Sequence, residues 1–246
     1  MITLVVISAL CIYRFSRPNA VDRFWKPILS ADASPLICLS DLGQFTSERT
    51  NTQSIWLESA LEHKERLLAL PDVVALTRVS SILAMRVKPA LVQDSVATTV
   101  VELRQQPDIL IGGLNNQWTV RAMQFMPFQI AHGDENRIVG IRDTNDASKL
   151  RWVAVLADTA NPYQKTYSIV ARFHDPTTGQ PTMVIAGISS NGTTAATEFV
   201  TTPAYLKTFT DRAPRGWEDK NIEIVLETQI INNDNGPPHI VATHLW

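Results

Sequence analysis

The spacing of hydrophobic and polar residues predicts helices and strands that alternate through the first half of the chain. Apolar residues at helical spacing predict helices at 53–70, 72–86, 96–105, 117–124 and 193–200, with a last helix beginning at Pro203. Short apolar runs predict strands at 35–39, 108–111, 137–142 and 151–156. Residues 24–29 (FWKPIL) form an aromatic segment that we expect to pack on the core.

Two β-hairpins are predicted in the second half of the chain. Residues 167–173 and 182–188 are rich in β-branched side chains, and an Asp-Pro-Thr-Thr-Gly-Gln turn joins them. Residues 222–231 and 239–245 form the second pair, around an Asn- and Pro-rich turn. The expected fold class is therefore α/β, a mixed sheet with helices on both faces and β-hairpins in the C-terminal half.

The first residues are almost wholly apolar. Residues 2–13 (ITLVVISALCIY) contain no charge, and Arg14, Arg17, Arg23 and Lys26 follow them. A membrane span needs about 20 apolar residues, so the run alone is too short. Basic residues after the run, rather than before it, also differ from a secretory signal.

Two interpretations of this apolar run stay open: a buried first element of the core, or the end of a membrane anchor that begins upstream. We expect the anchor, because the run has no polar face and leads into a Pro-containing linker. Residues 1–23 are then the hydrophobic segment and linker, and residues 24–246 a single α/β domain. The expected location is membrane-associated and otherwise cytoplasmic, with a side that upstream residues could reverse.

Composition narrows the class of partner. The 246 residues carry 22 basic and 24 acidic side chains, a net charge of −2, so no strongly basic surface marks the chain as a whole. We therefore expect no direct binding of nucleic acid. Hydrophobic residues make up 45% and charged residues 19%, which is typical of a globular protein. Cys11 and Cys38 are too few for a disulfide framework.

Two glycine-containing loops each leave an apolar strand and enter a predicted helix. Free N–H groups at helix starts attract anions, and ligands of open α/β sheets lie at the carboxyl ends of strands. If both strands lie near the middle of one sheet, the loops face a shared crevice. The candidate ligand-binding residues are Gly112, Gly113, Asn115 and Asn116 in the first loop, and Gly187, Ser189, Ser190, Asn191, Gly192 and Thr193 in the second.

The second loop comes close to a nucleotide-phosphate motif. Gly187 and Gly192 have the right spacing, but Thr193 stands where the motif requires Lys. Without that cation the loop does not favour a P-loop NTPase, and it is more typical of a cradle for a small polar or anionic ligand. The simpler alternative is that these residues only turn the chain and cap the helices. Arg121 and Arg172 are candidates to supply charge to an anion.

No catalytic or metal-binding motif is recognisable. The five histidines do not have metal-ligand spacing, and no nucleophile elbow occurs. We expect no metal and no cofactor, and the catalytic residues, if any, are unknown. An enzyme acting on a nucleotide or glycoside would need an acid–base pair, for which Asp143 and Glu198 are the candidates. A structural or partner-binding module is a third possibility.

Residues 167–202, together with 24–27, 107–116 and 220–246, resemble an uncharacterised bacterial family. In that family a similar α/β body often follows a membrane segment, and sometimes an upstream winged-helix DNA-binding domain. The resemblance covers most of residues 24–246 and implies a fold and a domain context, but no activity. These 246 residues contain no such DNA-binding domain. The leading expectation is a membrane-tethered sensor or ligand-binding domain, with an oligomeric state that the sequence does not predict.

Overall fold

The computed structural model describes residues 18–41, 67–133, 138–146, 149–155, 164–232 and 234–246. It confirms the mixed α/β fold that the hydrophobic spacing predicts. The apolar run at 2–13 and most of the predicted helix at 53–70 lie outside the described residues.

Helices pack on a central sheet throughout the described chain. They are α1 (Ala20–Ser30), α2 (Leu70–Ala84), α3 (Val100–Leu103), α4 (Gln117–Met123), α5 (Ser190–Thr201) and α6 (Pro203–Thr210). Single 3₁₀ turns span Thr144–Asp146 and Trp217–Asp219.

Strands form two sheets. They are β1 (Leu36–Leu39), β2 (Leu91–Asp94), β3 (Asp108–Ile111), β4 (Phe128–His132), β5 (Ile138–Asp143), β6 (Leu150–Val155), β7 (Lys165–His174), β8 (Pro181–Gly187), β9 (Ile222–Ile231), β10 (Asp234–Asn235) and β11 (His239–Leu245). The main sheet has the order β2–β1–β3–β8–β7–β9, with β10 and β11 both paired to β9, and β4–β5–β6 form a small antiparallel sheet.

The main sheet changes character along its width. Strands β2, β1, β3 and β8 are parallel to one another, whereas β7, β9 and β11 pair in antiparallel fashion. Both predicted hairpins are confirmed, as β7–β8 and β9–β11. The chain places β2 on one side of β1 and β3 on the other, so the strand order reverses at β1.

The two faces of the main sheet are covered differently. One face packs against α1, α2, α5 and α6, and its core includes Trp25, Phe199 and Trp217. The other face packs against α4 and the small sheet, and its core includes Met123 and Trp152. Helices therefore lie on both faces as predicted, but the sequence did not indicate that a second sheet would cover much of one face.

Several element boundaries differ from the predictions. Residues 24–29 belong to helix α1, with Pro27 inside it. Helix α2 begins at Leu70 rather than Asp72, because a proline fits the first turn of a helix. The predicted helix at 96–105 shortens to α3. Strand β2 was not predicted, since its half-exposed residues show no clear alternation and it exists through pairing with β1.

Glu223 connects the two sheets. It lies on β9, is fully buried, and its Oε2 accepts a hydrogen bond of 2.9 Å from the backbone N–H of Phe128 at the start of β4. Its Oε1 has no hydrogen-bond partner among the described residues. Burial raises the pKa of Glu223 to about 8, the Phe128 N–H opposes this, and the charge of Asp143 adds to it.

Replacing Glu223 with Gln is expected to reduce the pH dependence of stability. The folded-state pKa lies above that of the unfolded chain, so the stability Glu223 contributes is fully present in acid and is lost as the pH rises through about 8. Each pH unit between the two pKa values is worth about 1.4 kcal/mol. The measurement is urea unfolding at several pH values, and the variant should show the smaller decline.

Part of the decline should remain in that variant, because burial also raises the pKa of Asp108 to about 8. The matched control is Glu227→Gln on the same strand, since the pKa of Glu227 is lowered and it titrates below this pH range. If stability falls with pH in Glu223→Gln as steeply as in the wild type, the raised pKa does not belong to Glu223.

Candidate functional site

Three strand-end loops meet at one edge of the main sheet. Gly112 N–H donates to Ile185 O over 3.0 Å, which joins the end of β3 to β8. Ser40 N–H donates to Ile111 O over 3.1 Å, and Asp41 N–H to Asn115 O over 3.3 Å, which joins the end of β1 to the same loop. We call this region, formed by residues 40–41, 112–116 and 187–193, the carboxyl edge.

The two predicted glycine loops touch each other directly. A Cβ atom on Gly113 would lie 2.5 Å from the carbonyl oxygen of Gly187, and one on Gly112 would lie 2.7 Å from Ser40 Cβ. Gly112 also has a φ of +107°, which glycine adopts without strain. These glycines are required by the close approach of the chain to itself. A ligand at this edge would rest on the outer surface of both loops rather than pass between them at Gly113.

The second pair of glycines has the same role. A Cβ atom on Gly187 would overlap the backbone nitrogen of Thr193, and one on Gly192 would lie 2.7 Å from Tyr167 O. The start of α5 is thus held tightly against β7 and the end of β8.

Asn116 is a structural residue at the centre of the carboxyl edge. It is fully buried and caps α4, with Oδ1 accepting from the N–H groups of Trp118 (3.0 Å) and Thr119 (3.3 Å). Its Nδ2 donates to Cys38 O (3.0 Å) and Ile111 O (2.9 Å), so it also ties β1 to β3. For this residue the structure shows the capping alternative, and both donors of its amide are used within the fold.

Ser189 likewise caps its helix. Its Oγ accepts from Gly192 N–H over 3.2 Å and lies 2.7 Å from Thr166 Oγ1 on β7. The neighbouring Asn191 carbonyl accepts from Asn235 Nδ2 over 2.8 Å, and Thr193 is buried. These contacts anchor the start of α5.

Hydrogen-bonding groups are left over on both glycine loops. No hydrogen bond within the described chain uses the backbone N–H groups of Gly113, Leu114 and Asn115. The side chains of half-buried Asn115 and exposed Ser190 also bond to no described residue. Unused donors of this kind can bind oxygen atoms of an anion or a hydroxyl group.

A buried polar group, missed by the sequence reasoning, lies beside these donors. Ser40 Oγ donates to the carboxylate of Asp72 in the first turn of α2, and Ser40, Asp41 and Asp72 are all buried. Burial raises the pKa of Asp72, and the hydrogen bond from Ser40 opposes this. Asp72 was predicted as the first residue of the helix at 72–86, and the N-cap of that helix is Ala69. The available signal was Ser-Asp directly after a buried strand.

Four other residues proposed from the sequence, two arginines and two carboxylates, have their contacts outside the carboxyl edge. The Arg121 guanidinium sits over the Trp118 ring at 5.5 Å, and Arg172 pairs with Met183 toward the opposite end of β8. Asp143 ends β5 in the small sheet and binds Arg151 over 3.2 Å, whereas Glu198 on α5 binds Arg78 over 3.4 Å. The small sheet and α5 cover opposite faces of the main sheet, so Asp143 and Glu198 cannot form the acid–base pair that an enzyme would need.

Among the described residues there is no candidate metal site, no reactive thiol and no membrane-spanning helix. No group of three or more His, Cys, Asp or Glu within it could hold a metal ion. Cys38 is buried, and burial raises the pKa of its thiol to about 12, which keeps the reactive thiolate unpopulated. None of the described helices is long and apolar enough to cross a bilayer.

Asn116→Ala is expected to destabilise the protein by about 2–4 kcal/mol, because it removes a helix cap and two buried donors at once. Asn115→Ala, one residue earlier, should change the free energy of unfolding by less than about 0.5 kcal/mol. Denaturant unfolding followed by tryptophan fluorescence measures both. Equal effects from the two substitutions would show that Asn116 does not hold β1 to β3.

Comparison with known proteins adds no relative. The chain matches no protein-family model, no curated protein and no solved structure. The resemblance to a bacterial family therefore stays a prediction.

Proposed function

We propose that the chain is a sensor or ligand-binding domain that takes a small polar or anionic molecule at the carboxyl edge. One observation carries the proposal: the strand order reverses at β1, so the loops after β1 and β3 lie side by side at the same edge. In open α/β sheets this is where ligands bind.

The hydrogen-bonding groups of this edge suit a small molecule with several oxygen atoms. The N–H groups of Gly113 to Asn115 are donors for a carboxylate, phosphate or hydroxyl oxygen. The Asn115 amide and the Ser190 hydroxyl can add direct bonds from the two loops. The Asp72 carboxylate is an acceptor beside them, which favours a ligand that also carries hydroxyl groups.

One observation favours an enzyme as the second candidate. A serine hydroxyl that donates to a buried carboxylate with a raised pKa, as Ser40 does to Asp72, is a pairing found in acid–base chemistry. Binding is preferred because the carboxylates proposed from the sequence, Asp143 and Glu198, lie on opposite sides of the main sheet.

The tether is part of the same proposal. It is supported by the uncharged run at 2–13 and the basic residues that follow it. A domain that binds a small molecule next to a membrane anchor is suited to signal transduction.

The test is a thermal-shift screen followed by calorimetric titration. The panel contains nucleotides, sugar phosphates, inorganic phosphate, carboxylates and polyols. We expect at least one compound to raise Tm and to bind about tenfold more weakly to the Asn115→Ala/Ser190→Ala double variant, which loses two hydrogen bonds of about 0.5–1.5 kcal/mol each. Without ligand, the double variant should have the same Tm as the wild type.

The control is Thr208→Ala on α6, an exposed position away from the carboxyl edge. If no compound stabilises the protein, or if the double variant binds as tightly as the wild type, the proposed site is wrong. Turnover of a bound compound that is abolished in Asp72→Asn would instead establish the enzyme.

A further inference from the structure

A second cleft lies at the opposite edge of the main sheet. It encloses about 330 Å³ between α1, the end of β7, the start of β8 and the chain around the 3₁₀ turn at Trp217–Asp219. Three cationic side chains line it: Lys26, Arg172 and Lys220. We call it the basic cleft.

Arg172 brings a buried charge into the basic cleft. Only 2% of the residue is exposed. Its Nη1 donates to Phe24 O (3.1 Å), and its Nη2 to the carbonyls of Trp217, Glu218 and Lys220 (3.1, 3.0 and 2.7 Å). These bonds fix the guanidinium in place.

The charge of Arg172 has no direct counter-ion. No carboxylate in the described chain forms an ion pair with it, and its Nε–H is used by no hydrogen bond there. The neutral carbonyls satisfy donors without cancelling the charge, and the nearby charges of Glu218 and Asp219 act on the guanidinium without contacting it.

The rim adds more positive charge and further donors. Lys220 is exposed and forms no ion pair with a described residue. Asn221 uses its Oδ1 to accept from His174 N–H over 3.0 Å, which leaves its NH₂ group as a donor at the cleft.

Each of the two carboxylates of the basic cleft pairs with a cation, and only one of these two cations lines the cleft. Glu218 is bound by Arg23, whose Nε donates to it over 3.0 Å from outside the cleft. The Asp219 side chain is 84% exposed and pairs with Lys26 over 3.8 Å, which offsets part of the positive charge of that lysine. The cleft therefore has an excess of positive charge, although the whole chain is slightly acidic.

We propose that the basic cleft binds the phosphate group of a small phosphorylated molecule or of an anionic lipid headgroup. A phosphate oxyanion matches two lysines and a fixed guanidinium, and a volume of this size holds a phosphate with a small organic group rather than a bare ion alone. The two sources share the same chemistry at the cleft and differ in whether a bilayer presents it. This site is separate from the carboxyl edge and does not rest on the function proposed there.

The experiment uses the full chain and two probes. Free phosphate chemistry is tested with inorganic phosphate and glycerol 3-phosphate by calorimetry, against chloride at equal ionic strength. Lipid presentation is tested by co-sedimentation with vesicles of phosphatidylcholine with and without phosphatidic acid. The pure phosphatidylcholine vesicles account for any binding through the apolar run at 2–13.

Lys26→Gln/Lys220→Gln is the test variant. Both side chains are exposed, and their replacement leaves the backbone carbonyls that bind Arg172 in place. We expect it to bind whichever probe the wild type binds at least about tenfold more weakly. Lys207→Gln, an exposed lysine on α6, should bind like the wild type. The Asn115→Ala/Ser190→Ala variant should also bind like the wild type, which separates this site from the carboxyl edge.

Binding of the free phosphates identifies a soluble ligand, and binding of the phosphatidic acid vesicles alone identifies a headgroup. The proposal is overturned if neither probe binds above its control. It is also overturned if Lys26→Gln/Lys220→Gln binds as tightly as the wild type, or if Lys207→Gln loses as much affinity.

Discussion

The amide of Asn116 holds together the part of the molecule on which its proposed function depends. It donates hydrogen bonds to Cys38 O near the end of β1 and to Ile111 O at the end of β3, and it caps α4. Because strand order reverses at β1, this single side chain fixes two of the three loops that form the carboxyl edge, those after β1 and β3. Gly112 allows the same close approach from the backbone, with Ser40 against it.

The two edges of the main sheet have opposite chemical character. The carboxyl edge combines unused backbone N–H groups with the buried carboxyls of Asp41 and Asp72. The basic cleft gathers Lys26, Arg172 and Lys220 around a fixed guanidinium. In both places the fold first satisfies a buried polar group internally and leaves neighbouring donors over.

The sequence predicted what depends on local pattern and missed what depends on pairing. The β7–β8 hairpin followed from its β-branched runs and turn, and the loops at Gly112 and Gly187 followed from glycine after an apolar strand. Strands β2 and β4 were not predicted and form through pairing with β1 and β5. Strands β5 and β6 were predicted at 137–142 and 151–156, and only their assembly with β4 into a separate sheet was missed. The Ser40–Asp72 pair joins residues that lie 32 positions apart, so the Ser-Asp that follows a buried strand marked one end of the pair but could not identify its partner.

The central claim is that a ligand rests on the carboxyl edge, and amide chemical-shift mapping by NMR tests it most directly. Titration with a stabilising compound should shift the backbone amides of Gly113, Leu114, Asn115 and Ser190 first and most strongly, because the first three N–H groups and the Ser190 hydroxyl would gain a hydrogen-bond partner. Shifts that gather on another surface, while these four amides stay unchanged at saturation, would contradict the account.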